Sequence, residues 1–506
     1  MGKILKNATL LVVLLTLVSK ISGFIREQVI AFQYGATNIA DTYSTVLSLP
    51  QYVSNIIGGV LLSCFIPLYI SIKERDGIKQ AEDFTSKIFQ FTLLFLILLN
   101  VVFWVFADPI GAMYFGEDVT SEQIFLIKII LPSQIILSLA MFFTAKLNAI
   151  KIYNSPILST ILMNIIFIWI VIFFKKSSET LILANVISAL GQISYLIYKT
   201  PKFKLNFNSL NYYVKNRNFK EFLLLGVPVL IGSFSVQAFT IFDKILARDL
   251  PDGNIAALSY AQKLTQLPVG IIAMGISTVL LSSLSIIASK GDMQKLNKEI
   301  FKGLNLTFIL LLPIILIMYY LAVPITKIIF ERGEFNHDAT IMTAQAVRAY
   351  SIGIIGTSLT MVLSRVFFAK KNTIIPVISN LISALVNFIF ALFLVKNYQH
   401  IGLATANSIS VIFNFIFLFV AYLIKFRNTL RFNLKVFNRY MISFVVLVGA
   451  SLIIFMLLND IFDPNKNFMS FMLYSISYLV VYSLIVVVLK GRDYSVRFKK
   501  ILKWGA

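Results

Sequence analysis

The stretch LSLPQYVSNIIGGVLLSCFIPL, residues 47–68, runs for 22 residues without a single charge. As a helix rising about 1.5 Å per residue it crosses the roughly 30 Å hydrocarbon core of a bilayer. Its apolar residues do not alternate with polar ones, so it does not read as a barrel strand. Working outward from it, thirteen further segments read the same way. The candidate spans are 8–32, 42–72, 88–107, 124–145, 155–174, 180–198, 222–246, 256–288, 304–326, 341–368, 374–395, 401–424, 440–459 and 468–489. Composition agrees. Over 506 residues, 58% are hydrophobic and 13% charged, against about 45–50% and 25% in soluble domains. That excludes soluble multidomain surfaces and disorder. The expected fold class is an all-α polytopic membrane protein with about 14 transmembrane helices.

The charge is uneven: 45 Lys and Arg against 23 Asp and Glu give +22. With both termini placed in the cytoplasm, 31 of the 45 basic residues fall in inner segments and seven in outer loops. This is the positive-inside pattern for an even number of spans with both termini inside. The excess faces anionic lipid and does not announce nucleic acid. The first span has no clear cleavage tail and reads as a membrane helix, not a signal peptide. Cys64 is alone, and His337 and His400 fall in separate predicted loops, so no disulfide, metal cluster or cofactor is expected. GxxxxGK[ST], HExxH and GxSxG are all absent, which removes a built-in ATPase and argues against an enzyme. No signature carbonyl loop marks a channel filter.

An internal repeat organises the spans. Residues 264–285, LTQLPVGIIAMGISTVLLSSLS, share with 47–68 an early Pro, mid-span Gly and a VLLS run, closed by Ser63 and Ser282. Both fall in the second span of a six-span block. The expected organisation is two pseudo-symmetric six-helix lobes, 1–205 and 206–425, a known transporter plan. A C-terminal helix pair with a basic tail, 426–506, follows.

Charges inside spans are expensive unless they meet a partner or a watery cavity. The first hairpin holds Lys20, Arg26, Glu27 and Asp41. Arg26 and Glu27 either pair near the interface or place Arg26 in a central cavity, where its fork suits a phosphate. Asp41 then orients the arginine or responds to protons. In the second lobe, Asp243 and Lys244 are adjacent near the end of span 7, and Lys263 lies inside span 8. Lys263 either bridges to Asp243 or adds a second cationic ligand for an anionic head group. Asn380 and Asn387 are seven apart on one helix face, with Asn407 in the next span. Such amides either join helices or, with Asp243, form a cation site of hard oxygen ligands. Arg348 and Arg365 lie in span 10, and Arg365 is close enough to its end to snorkel.

The first hairpin carries a resemblance. GFIREQVIAFQYGATNIADTY, residues 23–43, with Pro50, resembles the signature of the MurJ/MviN family. These are the lipid II flippases of the multidrug/oligosaccharidyl-lipid/polysaccharide exporter superfamily. Gly23, Phe24, Arg26, Glu27, Ile30, Ala31, Gly35, Ala36, Asp41 and Pro50 match it. FDKILARDL at 242–250 and RVFFAKKNTIIPV at 365–377 are similar to later parts of the same family. The resemblance implies a monomeric flippase that moves undecaprenyl-diphosphate-linked peptidoglycan precursor from the inner to the outer leaflet by alternating access. It implies Arg26, Asp41, Lys244 and Lys263 at the substrate, and a reset by Na⁺, H⁺ or membrane potential. It also implies a C-terminal pair that forms a groove for the lipid tail. Ser54 and Asn55 stand where better studied members carry paired arginines, and Gly59 where they carry a glutamate. Another lipid-linked oligosaccharide of the O-antigen or capsule type, or a drug antiporter of the same superfamily, are the competing readings.

Overall fold

The computed structural model describes residues 2–201, 216–370, 372, 374–426, 434–464 and 468–490. The basic tail and the stretches 202–215 and 427–433, which carry part of the inner charge, lie outside the described residues. Every regular element described is helical. Among the described residues, ten helical stretches are long and apolar enough to cross a membrane. Backbone groups in hydrocarbon must be satisfied within the segment, and a helix does this alone.

Two compact units divide the chain. The first holds Met1–Tyr260 with Arg332–Ala339 and Ala391–Leu403. Its helices are α1 (Gly2–Tyr34), α2 (Asn38–Val60), α3 (Ile66–Asp76), α4 (Ile78–Val105), α5 (Ala107–Phe115), α6 (Ser121–Ala149), α7 (Asn154–Phe173), α8 (Ser178–Lys199) and α9 (Arg217–Ala247). A π turn, Leu61–Phe65, joins α2 to α3. Local chemistry sets the starts. Thr120 and Gln123 form a reciprocal capping box at α6, Ser177 caps α8, and Asn216 caps α9; each side-chain oxygen takes an amide the helix leaves unpaired. The core is aromatic: Phe65 lies 5.6 Å from Phe84 and 5.5 Å from Phe142, ring to ring.

One cluster in this unit departs from the charge pattern of the sequence. Lys146 is fully buried, bonds the Glu82 carboxylate at 2.5 Å and sits 4.1 Å over the Tyr69 ring. The Tyr69 hydroxyl donates to the same carboxylate at 2.9 Å. Lys87, also buried, pairs with Asp83. Both lysines count toward the inner basic excess, yet both are buried: Lys146 ties α6 to α4, and Lys87 pairs one turn back along α4 itself.

The second unit holds Ala261–Glu331, Thr340–Phe390 and Ala404–Ala506. Helix α10 (Asn254–Pro268) enters it and continues through a second π turn, Val269–Ala273, into α11 (Met274–Ser289). The two π turns follow Pro50 and Pro268 at different distances, so the repeat legible in the sequence is not a copy at the level of backbone. There follow α12 (Met293–Tyr320), α13 (Ala322–Phe330), α14 (His337–Ala369), α15 (Ile374–Lys425), α16 (Leu434–Ile461) and α17 (Phe468–Lys490). Within α15, Gln399 adopts φ 48° and ψ −131°, which breaks the helix between the two spans read from the sequence. Gly402 permits the break, because a Cβ there would meet the Leu394 carbonyl. Leu284, Ile300, Val366, Phe367 and Tyr422 form the core of this unit, and Tyr422 donates to Asn297 at 2.6 Å. Two tyrosines of α17, eight residues apart, hold the C-terminal pair: Tyr474 bonds the Phe455 carbonyl of α16 at 2.7 Å, and Tyr482 docks α17 on the Ile309 carbonyl of α12 at 2.9 Å.

Candidate functional site

Arg26 sits on α1, which packs along α7. It is 7% exposed. Its terminal nitrogen donates to the Tyr43 hydroxyl at 2.7 Å, and its guanidinium lies 4.0 Å above the Phe167 ring. The Arg26 Nε is buried without a partner among the described residues. Within the first unit this arginine is stacked on an aromatic ring and held by a hydroxyl.

Asp41 opens α2 and faces the start of α10. Its two carboxylate oxygens accept the backbone N–H groups of Gly253 and Ala256, each at 2.6 Å. A helix start leaves such donors unpaired and carries positive partial charge, so a carboxylate there is doubly favoured. Asp41 thereby fixes the start of α10. Around it the same unit builds a latch. Asn38 donates to Asp252 at 3.0 Å. The Tyr260 hydroxyl donates to the Gly35 carbonyl at 2.9 Å, and its ring lies edge-on to Phe335 at 5.6 Å. The Glu334 N–H donates to the Phe32 carbonyl at 3.0 Å, and Lys176 pairs with Glu334 at 3.0 Å. Gly35 and Gly333, at φ +60° and +61°, let these backbones meet: a Cβ on either would run into the carbonyl opposite.

The remaining sequence candidates are distributed as follows. Asp243 and Lys244 are half-buried in the last turns of α9, in the first unit; Lys263 is exposed on α10, in the second. Asn380 and Asn387 belong to the second unit. The Asn380 side-chain oxygen accepts from Asn414 at 2.9 Å, and Ser379 also bonds Asn414, so at Asn380 the amide joins two helices. Asn387 is buried. Among the described residues no group of three or more His, Cys, Asp or Glu is placed to hold a metal ion. Ser54 is turned back onto the Gln51 carbonyl at 3.0 Å. Gly59 faces α9 so closely that a Cβ would stand 3.0 Å from the Ser233 hydroxyl. Sequence reasoning missed Tyr43, Phe167, Tyr260, Gly333 and Glu334. Only the tight turn glycines gave any signal of them.

The sequence model of the family described as lipid II flippase MurJ matches residues 30–489. The chain belongs to the MurJ family of lipid II flippases. The probable lipid II flippase MurJ of Buchnera aphidicola subsp. Acyrthosiphon pisum is 30% identical over 415 residues, covering 80% of this chain and 81% of that protein. The lipid II flippase MurJ of Burkholderia cenocepacia is 24% identical over 457 residues, covering 87% and 86%. A solved structure of lipid II flippase MurJ in an inward closed conformation superposes with a TM-score of 0.78 at 23% identity, over 94% of this chain and 99% of that one. An inward-facing multidrug resistance MATE family transporter of the MOP superfamily shares the fold at a TM-score of 0.66 and 15% identity, over 80% and 93%. The membership makes the chain a MurJ-type flippase, not an enzyme, in a bacterial membrane.

Proposed function

We propose that this chain moves lipid II, the undecaprenyl-diphosphate-linked peptidoglycan precursor, from the inner to the outer leaflet with both termini in the cytoplasm. The observation that carries the reading is the family match, which runs over residues 30–489 and includes Asp41 and Lys263. The transporter works as two six-helix lobes, 1–205 and 206–425, with the pair at 426–506 appended. A charged saccharide head group cannot cross hydrocarbon unaided; a cavity opened to one side at a time gives it a polar path without a leak. Arg26 and Lys263 hold the diphosphate, and Lys244 adds positive charge nearby. Asp41 belongs to the same group through the helix start it fixes. Arg26 takes up this role by exchanging Tyr43 and Phe167, its partners within the first unit, for the diphosphate; its unused Nε supports a second set of partners.

Coupling uses the membrane potential and a cation. The potential favours outward movement of an anion by about 2.3 kcal/mol per charge per 100 mV. Asp243, Asn380 and Asn387 form the candidate site for Na⁺ or H⁺, and the shared fold with a cation-coupled superfamily supports the general idea. The test is reconstituted transport with defined lipids. Translocation of lipid II, reduced by changes at Arg26 and Lys263, is the expected result. Transport of an O-antigen-type lipid but not lipid II would overturn the cargo assignment, and transport of neither would overturn the flippase reading. Ser54 and Asn55, at the positions of the missing arginines, make that comparison decisive.

A further inference from the structure

Arg365 lies four residues before the end of α14 at Ala369. An arginine so placed ordinarily snorkels to the near surface. This one does the opposite. In a helix the Cα–Cβ bond tilts toward the N-terminus, here away from the near end. The Arg365 Nε donates to the Ser277 hydroxyl at 2.5 Å, and Ser277 is fully buried. Ser277 stands twelve residues before the end of α11 at Ser289, about 18 Å of helix. The side chain is therefore anchored on a fully buried hydroxyl well before the end of α11.

The anchor uses one donor of five. Among the described residues, the bond to Ser277 is the sole hydrogen bond of the Arg365 guanidinium, and Phe368 adds a ring contact at 5.8 Å. A half-buried guanidinium inside a span, with its terminal nitrogens uncommitted, is costly unless water or an anion meets it. With Nε occupied, the edge that remains is the Nη1–Nη2 pair, which presents parallel N–H groups to two oxygens of one phosphate. Ser358, seven residues earlier on the same face of α14, is also fully buried, and its hydroxyl has no partner among the described residues. Polar groups thus continue in the direction the arginine points.

We propose that Arg365, held by Ser277, is a phosphate-reading residue of this transporter that grips the diphosphate of the lipid-linked cargo. The proposal rests on the flippase reading above. Full-length protein in phosphatidylcholine nanodiscs is titrated with undecaprenyl diphosphate and, separately, with phosphatidylglycerol. Loss of a charge-assisted bond pair weakens undecaprenyl diphosphate binding by about ten- to a hundredfold in Arg365→Gln. Arg365→Lys keeps the charge but not the fork, and loses part of the affinity. Ser277→Ala leaves the guanidinium unanchored, and loses about three- to tenfold. Phosphatidylglycerol binding stays unchanged in all three. Unchanged diphosphate affinity in Arg365→Gln and Arg365→Lys overturns the proposal. So does an equal loss toward phosphatidylglycerol, which marks a general lipid contact. Failure of the unaltered protein to bind undecaprenyl diphosphate overturns the flippase reading itself, a result separate from any effect of the variants.

Discussion

Arg26 shows how a single side chain is kept charged inside a membrane protein. Its donors are shared between the Tyr43 hydroxyl and the Phe167 ring face. Tyr43→Phe leaves a buried donor unmet and costs about 1–3 kcal/mol; thermal unfolding in detergent checks it. Lys146 makes a sharper case. Lys146→Met strands the Glu82 carboxylate, and because that side chain keeps 29% exposure the loss is about 2–3 kcal/mol, below the 3–5 of a fully buried pair. Adding Glu82→Gln recovers most of it, and a melting curve that shows no recovery would refute the pairing argument. Asp41 acts differently, because its partners are backbone amides. Asp41→Ala removes two charge-assisted bonds at 2.6 Å, about 1.5–3 kcal/mol each by analogy. Reconstituted lipid II transport is expected to fall at least tenfold.

At the scale of elements, the α1–α2 hairpin, the start of α10 and the turn at Arg332–Ala339 close on each other through backbone contacts that only glycine permits. Gly333→Ala puts a Cβ into a carbonyl and an L-residue at φ +61°, a strain of about 1–2 kcal/mol. The contact opens, and a cysteine placed at Asn38 becomes more reactive to a membrane-impermeant maleimide. The background is low, since Cys64, the lone native cysteine, is buried. Unchanged labelling would mean that the glycine contact does not hold the latch. The spans themselves were legible from hydropathy to within a few residues at most ends: 155–174 against Asn154–Phe173, for example. The π turns were not legible. They arise from local backbone accommodation near a proline and carry no residue signature of their own.

At the scale of the molecule, the proposed coupling to the membrane potential makes a prediction about rate. If the diphosphate crosses as an anion, an inside-negative potential of 100 mV lowers the uphill part of the cycle by about 2.3 kcal/mol per charge. Collapsing the potential in proteoliposomes is expected to slow lipid II translocation, and an unchanged rate would place the driving force in a cation gradient alone. Asp243→Asn then separates the two, since it removes the carboxylate of the candidate cation site while leaving the cationic ligands in place.

The sequence by itself determined that this is a helical membrane protein, because uncharged stretches about 20 residues long have no other stable solution in hydrocarbon. It also determined the family, through the run from Gly23 to Pro50, and the short set of charges that had to be explained. Tertiary structure alone decided what those charges touch. Arg26 meets a tyrosine and a phenylalanine, Asp41 meets the amides of a distant helix start, and Arg365 reaches inward to Ser277. Hydropathy records how far a residue lies from water along one helix. Partner choice depends on which faces of several helices come together, and in a leucine- and isoleucine-rich chain many faces are equally apolar, so packing selects the partner and the local sequence does not.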